Sequence, residues 1–454
     1  MDEEKVMNEK EKVNQITEGV IWKQLLLFFF PIVFGTFFQQ IYNTADTIVV
    51  GRFVGKQALA AVGGSASQIA NLIVGFFVGL SSGAAVVISQ FYGAKDKKNL
   101  SKALHTAFAF SIAAGIVLTV VGIFLTRPAL LLMKTPADVV EDSAVYLHIY
   151  FGGMVFNLVY NMGAAILRAV GDSKRPLYVL IITCVLNIIL DLLFVVAFGM
   201  GVTGVAVATV TSQVISALIV TVMLLKTREI YVLKINQIRF DRRMLFSVLR
   251  IGIPAGLESV MYNISNIVIQ VFVNNLGTDT VAAWGTLGKI DAIFWMVINA
   301  FAISITTFVG QNYGAGKKER IRTGIREGVI LTILINIPLA LMLLCIPEFL
   351  TSFMLNDASI ISYTRDFLAV TGICLFPLGW LFVFRNGCQG MGHTFVPMLS
   401  GVLEVSLRVV MVKLLTPYLA FRGVALAEVS AWIGAWIMLM ITYWIYQERT
   451  DSFR

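Results

Sequence analysis

The stretch from Pro31 to Gly51, PIVFGTFFQQIYNTADTIVVG, is apolar enough to lie in a membrane but carries a line of polar side chains. Gln39, Tyr42, Asn43 and Asp46 follow one another at spacings that place them on one face of a helix. A carboxylate in the hydrocarbon core costs about 2.5–3.5 kcal/mol, so Asp46 must face a cavity or a partner group. We therefore expect reversible binding of a proton or a cation. A buried acid that only ties helices together is the weaker reading, because Asp46 belongs to a polar stripe.

A second acid, Asp191, ends the apolar segment LNIILD, one helical turn after Asn187. Two carboxylates around one cavity have coupled protonation. Such a pair can bind a proton, or it can hold Na⁺ with Asp46, Asp191 and Asn187 as ligands, and the sequence leaves both possibilities open. No further metal or cofactor is expected, since the three histidines are scattered and the four cysteines have no CxxC spacing.

Glu258, Tyr262 and Asn266 recur at steps of four and mirror the first polar stripe. We predict that these three residues, together with Gln39 and Asn43, contact the substrate. Ile269 stands where the repeat described below would place a counterpart of Asp46, so the coupling chemistry should be concentrated in the first half.

Glu404 and Arg408 lie four residues apart in an apolar segment. An intrahelical ion pair is favoured over a substrate contact, because it lets both charges stay in the membrane. Asp291 and Glu428 are acids whose depth the sequence does not fix. Pro31 should bend the first helix, either as a static kink or as a moving one.

These residues must be positioned by membrane helices, because the chain of 454 residues is 57% hydrophobic and only 14% charged. Short loops leave no room for a catalytic domain, so the chain should not be an enzyme. The stretch GRFVGK is followed by Gln57, so no P-loop is present and no nucleotide is expected. The net charge of +8 resides in particular loops and does not indicate a nucleic-acid partner. Gly75, Gly79 and Gly83 form a GxxxGxxxG series that predicts close helix packing.

The fold class predicted is an all-α polytopic membrane protein with two six-helix lobes. The twelve predicted spans cover residues 22–50, 58–91, 103–126, 143–168, 176–198, 203–225, 247–275, 280–312, 325–346, 362–385, 396–416 and 420–446. The predicted regions are an amino-terminal segment 1–21, a first lobe 22–225, a linker 226–246, a second lobe 247–446 and a tail 447–454. Most Lys and Arg residues, Arg385 among them, fall at the ends of alternate connections, which predicts that both termini are cytoplasmic.

The two halves repeat. Pro31 matches Pro254, GKQALAAVG (55–63) resembles GTDTVAAWG (277–285), and QFYGAKDKK (90–98) resembles QNYGAGKKE (311–319). Six helices per repeat make the second copy parallel to the first. Such a pair is expected to enclose a central cleft between the lobes.

The sequence resembles the multidrug and toxic compound extrusion (MATE) family of secondary transporters, and most of all its DinF-like branch. The segments that carry the resemblance are YNTADTIVVG (42–51), SQFYGAKD (89–96), LRAVGDSKRP (167–176), LNIILD (186–191), GVTGVAVATV (201–210), IGIPAGLES (251–259) and TTFVGQNYGAGK (306–317).

The resemblance implies a V-shaped pair of lobes and a polar coupling network in the first of them. The residues it places in that network are Asp46, Asp191, Asn187, Tyr42, Asn161 and Thr209. It also implies that bending at Pro31 accompanies release of substrate.

We therefore predict a secondary antiporter that exports organic, cationic amphipathic drugs or toxins in exchange for H⁺ or Na⁺ by alternating access. The alternative is a flippase for a lipid-linked or isoprenoid substrate. Small organic molecules and the lipid bilayer are the partners expected. We predict a multi-pass protein of the bacterial inner membrane that acts as a monomer.

Overall fold

The computed structural model describes residues 16–352 and 357–451, and these residues form helices joined by short turns. The predicted amino-terminal segment and tail lie partly outside the described residues. The helices are α1 (Ile21–Val49), α2 (Lys56–Gly63), α3 (Ser65–Gly93), α4 (Lys97–Leu132), α5 (Val140–Gly152), α6 (Met154–Ala169), α7 (Lys174–Asp191), α8 (Gly201–Lys226), α9 (Arg242–Asn274), α10 (Thr278–Gly314), α11 (Lys318–Cys345), α12 (Pro347–Ser352), α13 (Ala358–Ile373), α14 (Leu375–Gly390) and α15 (Phe395–Asp451).

Nine helical segments in the described ranges are long and apolar enough to cross a membrane by themselves. Two bent pairs, α5 with α6 at 52° and α13 with α14 at 50°, each add one span. The 57 residues of α15 would measure ~85 Å as one helix, far more than the hydrocarbon core. Ala420, with φ 47° and ψ −128°, divides α15 into two helices. The described residues thus contain the twelve predicted spans.

The chain divides into two compact units, and each boundary falls inside a helix. The amino-terminal unit is Phe30–Gly256, and the carboxyl-terminal unit is the chain from Leu257 onward with the described residues before Phe30. This division differs from the predicted lobes 22–225 and 247–446. The start of α1 belongs to the carboxyl-terminal unit, and the start of α9 belongs to the amino-terminal unit.

The same packing pattern occurs once in each unit. In the amino-terminal unit α6 packs against α3, α4 and α8, and in the carboxyl-terminal unit α14 packs against α10, α11 and α15. Because α6 and α14 occupy equivalent places in the sequence repeat, the two units share one architecture.

Glycines bring α3 and the start of α9 into backbone contact within the amino-terminal unit. A Cβ atom on Gly79 would lie 2.5 Å from the Cα of Gly256, and one on Gly83 would lie 2.4 Å from the backbone nitrogen of Gly252. The predicted close packing of the GxxxG series therefore occurs at Gly79 and Gly83, and its partner is the glycine pair of α9.

The segment before α1 is bound to the start of α11 in the carboxyl-terminal unit. Arg320 donates to the backbone carbonyls of Gly19 at 2.8 Å and Glu18 at 2.7 Å, and Lys317 donates to that of Thr17 at 2.8 Å. Ile16 and Thr17 are buried.

The linker before α9 is bound to the start of α4 in an equivalent way. The backbone N–H of Lys234 donates to Nε2 of His105 at 2.9 Å, and that of Asp241 donates to Oγ1 of Thr106 at 3.0 Å. Lys102 forms an ion pair with Asp241 at 3.2 Å.

Candidate functional site

The two acids of the first half lie at equivalent places on their helices, shortly before a π-helical turn. Asp46 lies four residues before the turn Val50–Val54 that continues α1, and Asp191 directly precedes the turn Leu192–Ala197 that continues α7. These two turns contact each other, and α7 packs along α8. Single π-helical turns inside helices frequently mark functional sites.

This arrangement buries a cluster of polar atoms whose hydrogen-bonding capacity is unused. Asp46 is 8% exposed, Asn187 1% and Asp191 0%. Asp46 lies within side-chain hydrogen-bonding range of Asp191 and Thr209. Nevertheless, five atoms have no partner in hydrogen-bonding geometry among the described residues: Oδ1 of Asp46, both carboxyl oxygens of Asp191 and both polar atoms of the Asn187 amide. Buried polar groups are almost always paired, so this cluster is an exception that needs an explanation.

A bound cation or proton would satisfy the oxygen atoms of this cluster. Two neighbouring carboxylates repel each other, and either a shared proton or a cation removes the repulsion. The donor set of Asp46, Asp191 and Asn187 consists of hard oxygens, which suit Na⁺ as well as a proton-linked network. No group of three or more His, Cys, Asp or Glu side chains suited to a metal occurs among the described residues.

Tyrosines surround the acid pair. Tyr42 lies close enough to Asp46 and Asp191, and to Tyr146 and Tyr150, to interact with them electrostatically. The rings of Tyr146 and Tyr150 stack on each other with centroids 6.1 Å apart. The sequence reasoning missed this pair on α5, although its spacing of four residues was a usable signal. The structure thus places Tyr42 and Thr209 near the two acids, and their part in cation coupling stays a prediction.

Asn161 on α6 forms hydrogen bonds within its own helix, and two further polar residues of α1 are exposed. Its amide donates to the backbone carbonyl and to Oδ1 of Asn157 at 2.9 and 3.0 Å, one turn earlier on α6. Gln39 and Asn43 are exposed. Pro31 lies inside α1, two residues beyond Phe29, where the chain passes from one unit to the other.

In the carboxyl-terminal unit Arg385 organises a buried ion network. Its guanidinium pairs with Glu258 at 2.9 Å and with Glu404 at 3.0 Å, and it donates to the hydroxyl of Ser400 at 3.2 Å. Gln389 donates to the second oxygen of Glu258 at 3.1 Å. Arg385 lies inside α14, 6% exposed, and not at a cytoplasmic helix end as its loop assignment predicted.

Arg408 organises a second network. It pairs with Glu428 at 3.0 Å, donates to Oδ1 of Asn266 at 3.1 Å and to the hydroxyl of Ser265 at 3.3 Å, and lies over the ring of Tyr262.

The predicted intrahelical pair of Glu404 with Arg408 was therefore wrong. Each of the two residues finds its opposite charge on another helix segment, because packing of α14 and α15 places Arg385 beside Glu404 and the kink at Ala420 returns Glu428 to Arg408. Glu258 and Asn266 were predicted as substrate contacts. In the structure Glu258 pairs with Arg385, and Asn266 accepts a hydrogen bond from Arg408.

Comparisons with known proteins agree with this architecture. A family model described as MatE matches residues 31–193 and again 254–414, and the two matches begin at the equivalent prolines Pro31 and Pro254. The probable multidrug resistance protein YoeA of Bacillus subtilis (strain 168) is 31% identical over 360 residues, which cover 77% of each chain. The probable multidrug resistance protein NorM of Thermotoga maritima is 25% identical over 431 residues, 94% of this chain and 90% of that relative.

Solved structures of MATE proteins share the fold. One MATE structure in complex with MaL6 has a TM-score of 0.90 at 23% identity and covers 97% of this chain and 100% of its own. An outward-facing multidrug resistance MATE family transporter has a TM-score of 0.89 at 22% identity over 96% and 98% of the two chains. Since the family model matches both halves and YoeA is 31% identical over most of the chain, this protein belongs to the MatE family of multi-pass membrane transporters and is not an enzyme.

Proposed function

We propose that the protein is a secondary active antiporter that exports organic, cationic amphipathic compounds in exchange for H⁺ or Na⁺. The relatives named above as multidrug resistance proteins support drug export as the direction and class of transport. An elementary charge that moves through 100 mV supplies about 2.3 kcal/mol, which is enough to concentrate a substrate severalfold without ATP.

One observation carries the coupling half of this proposal: the five unpaired polar atoms of Asp46, Asp191 and Asn187 in a buried position. A group that binds and releases a proton or Na⁺ during each cycle must lose and regain partners. A cluster that is buried and whose hydrogen-bonding capacity is not used by other protein groups meets that requirement, whereas a structural acid would be hydrogen-bonded already.

Alternating access follows as the transport cycle. Occupation of the Asp46–Asp191 pair by a cation would neutralise its charge and disfavour one arrangement of α1, and Pro31 provides a weak point in that helix where no backbone N–H is available. The predicted orientation has both termini in the cytoplasm of a bacterial cell. Assignment to the DinF-like branch rests on the carboxylates of α1 and α7, and it stays a prediction.

Transport in proteoliposomes tests the proposal. A fluorescent lipophilic cation is loaded, and a proton gradient or a sodium gradient is imposed separately. We expect efflux with at least one of these gradients, and Asp46→Asn and Asp191→Asn should reduce it to the level of empty liposomes, because each variant removes one coupling charge.

Asp142→Asn is the matched control, since it removes an exposed carboxylate from the same unit and should leave efflux unchanged. Normal gradient-driven efflux by Asp46→Asn would contradict the coupling role. The flippase alternative is not supported by the relatives, which are named as multidrug resistance proteins.

A further inference from the structure

Asp291 on α10 lies near the Arg408 network but is not bound by it. Arg408 pairs with Glu428, while Asp291 lies within electrostatic range of both and of Tyr262 without a hydrogen bond or ion pair among the described residues. One guanidinium therefore faces two carboxylates. The side chain of Asp291 is half-buried, so its carboxyl group is not fully enclosed by the protein.

Two aromatic rings lie close to this carboxyl group. Trp295 lies one helical turn after Asp291 on α10, and its ring meets that of Tyr262 edge to face with centroids 5.0 Å apart. Phe382 on α14 continues the row at 5.6 Å from Trp295. Neither Tyr262 nor Trp295 is fully buried. Aromatic faces beside a carboxylate are the surface that a lipophilic cation prefers, because the rings supply both apolar area and a negative quadrupole.

The Arg385 network offers no comparable unbound carboxylate among the described residues. Its two carboxylates, Glu258 and Glu404, both bind one guanidinium at 3.0 Å or less, and Gln389 also donates to Glu258. A cation could reach Glu258 only by displacing these partners, whereas Asp291 has none to lose.

We propose that Asp291, with the rings of Tyr262 and Trp295, forms a binding site for organic monocations within the carboxyl-terminal unit. Asp291 supplies the counter-charge, and the two rings supply the apolar walls. This inference rests on the proposed function, since it names the site at which the exported cation is held. It moves the substrate contact from the predicted Glu258 to Asp291.

Equilibrium dialysis of tetraphenylphosphonium, a permanent monocation, against the purified full-length protein in detergent tests the site without any ion gradient. Asp291→Asn should weaken binding by roughly tenfold or more, because the counter-charge in a desolvated site is lost. Asp291→Glu should retain most of the affinity. Asp279→Asn, which removes an exposed acid from the first turn of the same helix, should leave the Kd unchanged.

The aromatic wall is tested with a second pair of variants, which also serves if Asp291→Asn fails to fold. Trp295→Leu should weaken binding severalfold, and Trp295→Phe should keep most of it. A Kd for Asp291→Asn within twofold of the parent protein, or equal loss in both Trp295 variants, overturns the inference. Either result would leave gradient-driven efflux through Asp46 intact, so failure of this site is distinguishable from failure of the proposed function.

Discussion

The guanidinium group of Arg385 holds carboxylates from two other helices, Glu258 of α9 and Glu404 of α15. Arg385 and Glu404 are buried in the carboxyl-terminal unit and Glu258 is mostly buried, so a charge left without a partner there is poorly solvated. The three charged groups therefore stabilise one another, and replacing one of them with a neutral side chain should destabilise the protein.

Removal of the cation from this network should be severe. Arg385→Met leaves two buried carboxylates without a partner, and we expect the free energy of unfolding to fall by about 3–5 kcal/mol, measured by thermal or denaturant unfolding in detergent. Arg422→Met removes the partner of Asp366 at an exposed pair and should change the midpoint very little. Equal effects of the two variants would contradict the structural role of Arg385.

Periodicity within one segment located polar residues that lie together in the fold, whose coupling role stays a prediction, and it predicted the ion pairs poorly. Asp46, Asn187 and Asp191 could be found because a polar residue in an apolar helix is conspicuous whatever lies opposite. The partner of Arg408 could not be found, because the choice between Glu404 and Glu428 depends on how α15 turns at Ala420. The depth of Asp291 could not be predicted for the same reason. Whether this acid has a partner among the described residues depends on how the helices of the unit pack.

At the scale of elements, the contact of α3 with α9 depends on the absence of side chains. The backbones approach so closely at Gly79 and Gly83 that a Cβ atom would overlap the opposite chain. Alanine is the better helix former by about 1 kcal/mol, but overpacking costs about 1–3 kcal/mol, and the contact here is with rigid backbone.

Gly83→Ala should therefore lower the thermal midpoint despite its gain in helix propensity. Gly285→Ala on α10, where no atom lies within 4 Å of the new Cβ, should leave the midpoint unchanged or raise it. Both are measured by thermal unfolding in one detergent. A Gly83→Ala protein as stable as Gly285→Ala would show that α3 and α9 do not meet at this distance.

Asp241 holds the linker to α4, and its contribution to stability depends on pH. The backbone N–H of Met244 and the ammonium group of Lys102 hold the pKa of the Asp241 carboxyl below its usual range. A lowered pKa stabilises the folded state above the usual value of about 3.9, and this contribution disappears as the pH falls through the folded-state pKa.

Asp241→Asn should therefore lower the thermal midpoint at pH 7, and the difference from the parent protein should shrink as the pH falls below about 4. Asp138→Asn, an exposed acid, should be neutral at both pH values. A deficit of Asp241→Asn that persists at acid pH would mean that the carboxylate charge is not what holds the linker.

Apolar run length predicted where the spanning helices lie, because a membrane span needs about 20 residues whatever its neighbours are. It did not predict the bends between α5 and α6 and between α13 and α14, nor the division of units inside α1 and α9. Those features arise from contacts between distant parts of the chain.

At the scale of the whole molecule, the positive-inside rule assigns the loops before α4 and before α11 to the cytoplasm. In a variant whose native cysteines are replaced, Lys98→Cys and Lys318→Cys should react with a membrane-impermeant maleimide only after the cells are opened. Lys134→Cys, in a connection of the opposite set, should react in intact cells. The reverse pattern would invert the topology and the direction of transport.

The exchange of helix starts between the two units has a consequence for how such a chain is made. The amino-terminal unit is incomplete until residue 256 has been synthesised, and the segment before α1 must wait about 300 residues for its partners at Asn312, Lys317 and Arg320. A ribosome that stopped in the linker would release a half whose first helix begins without its own support.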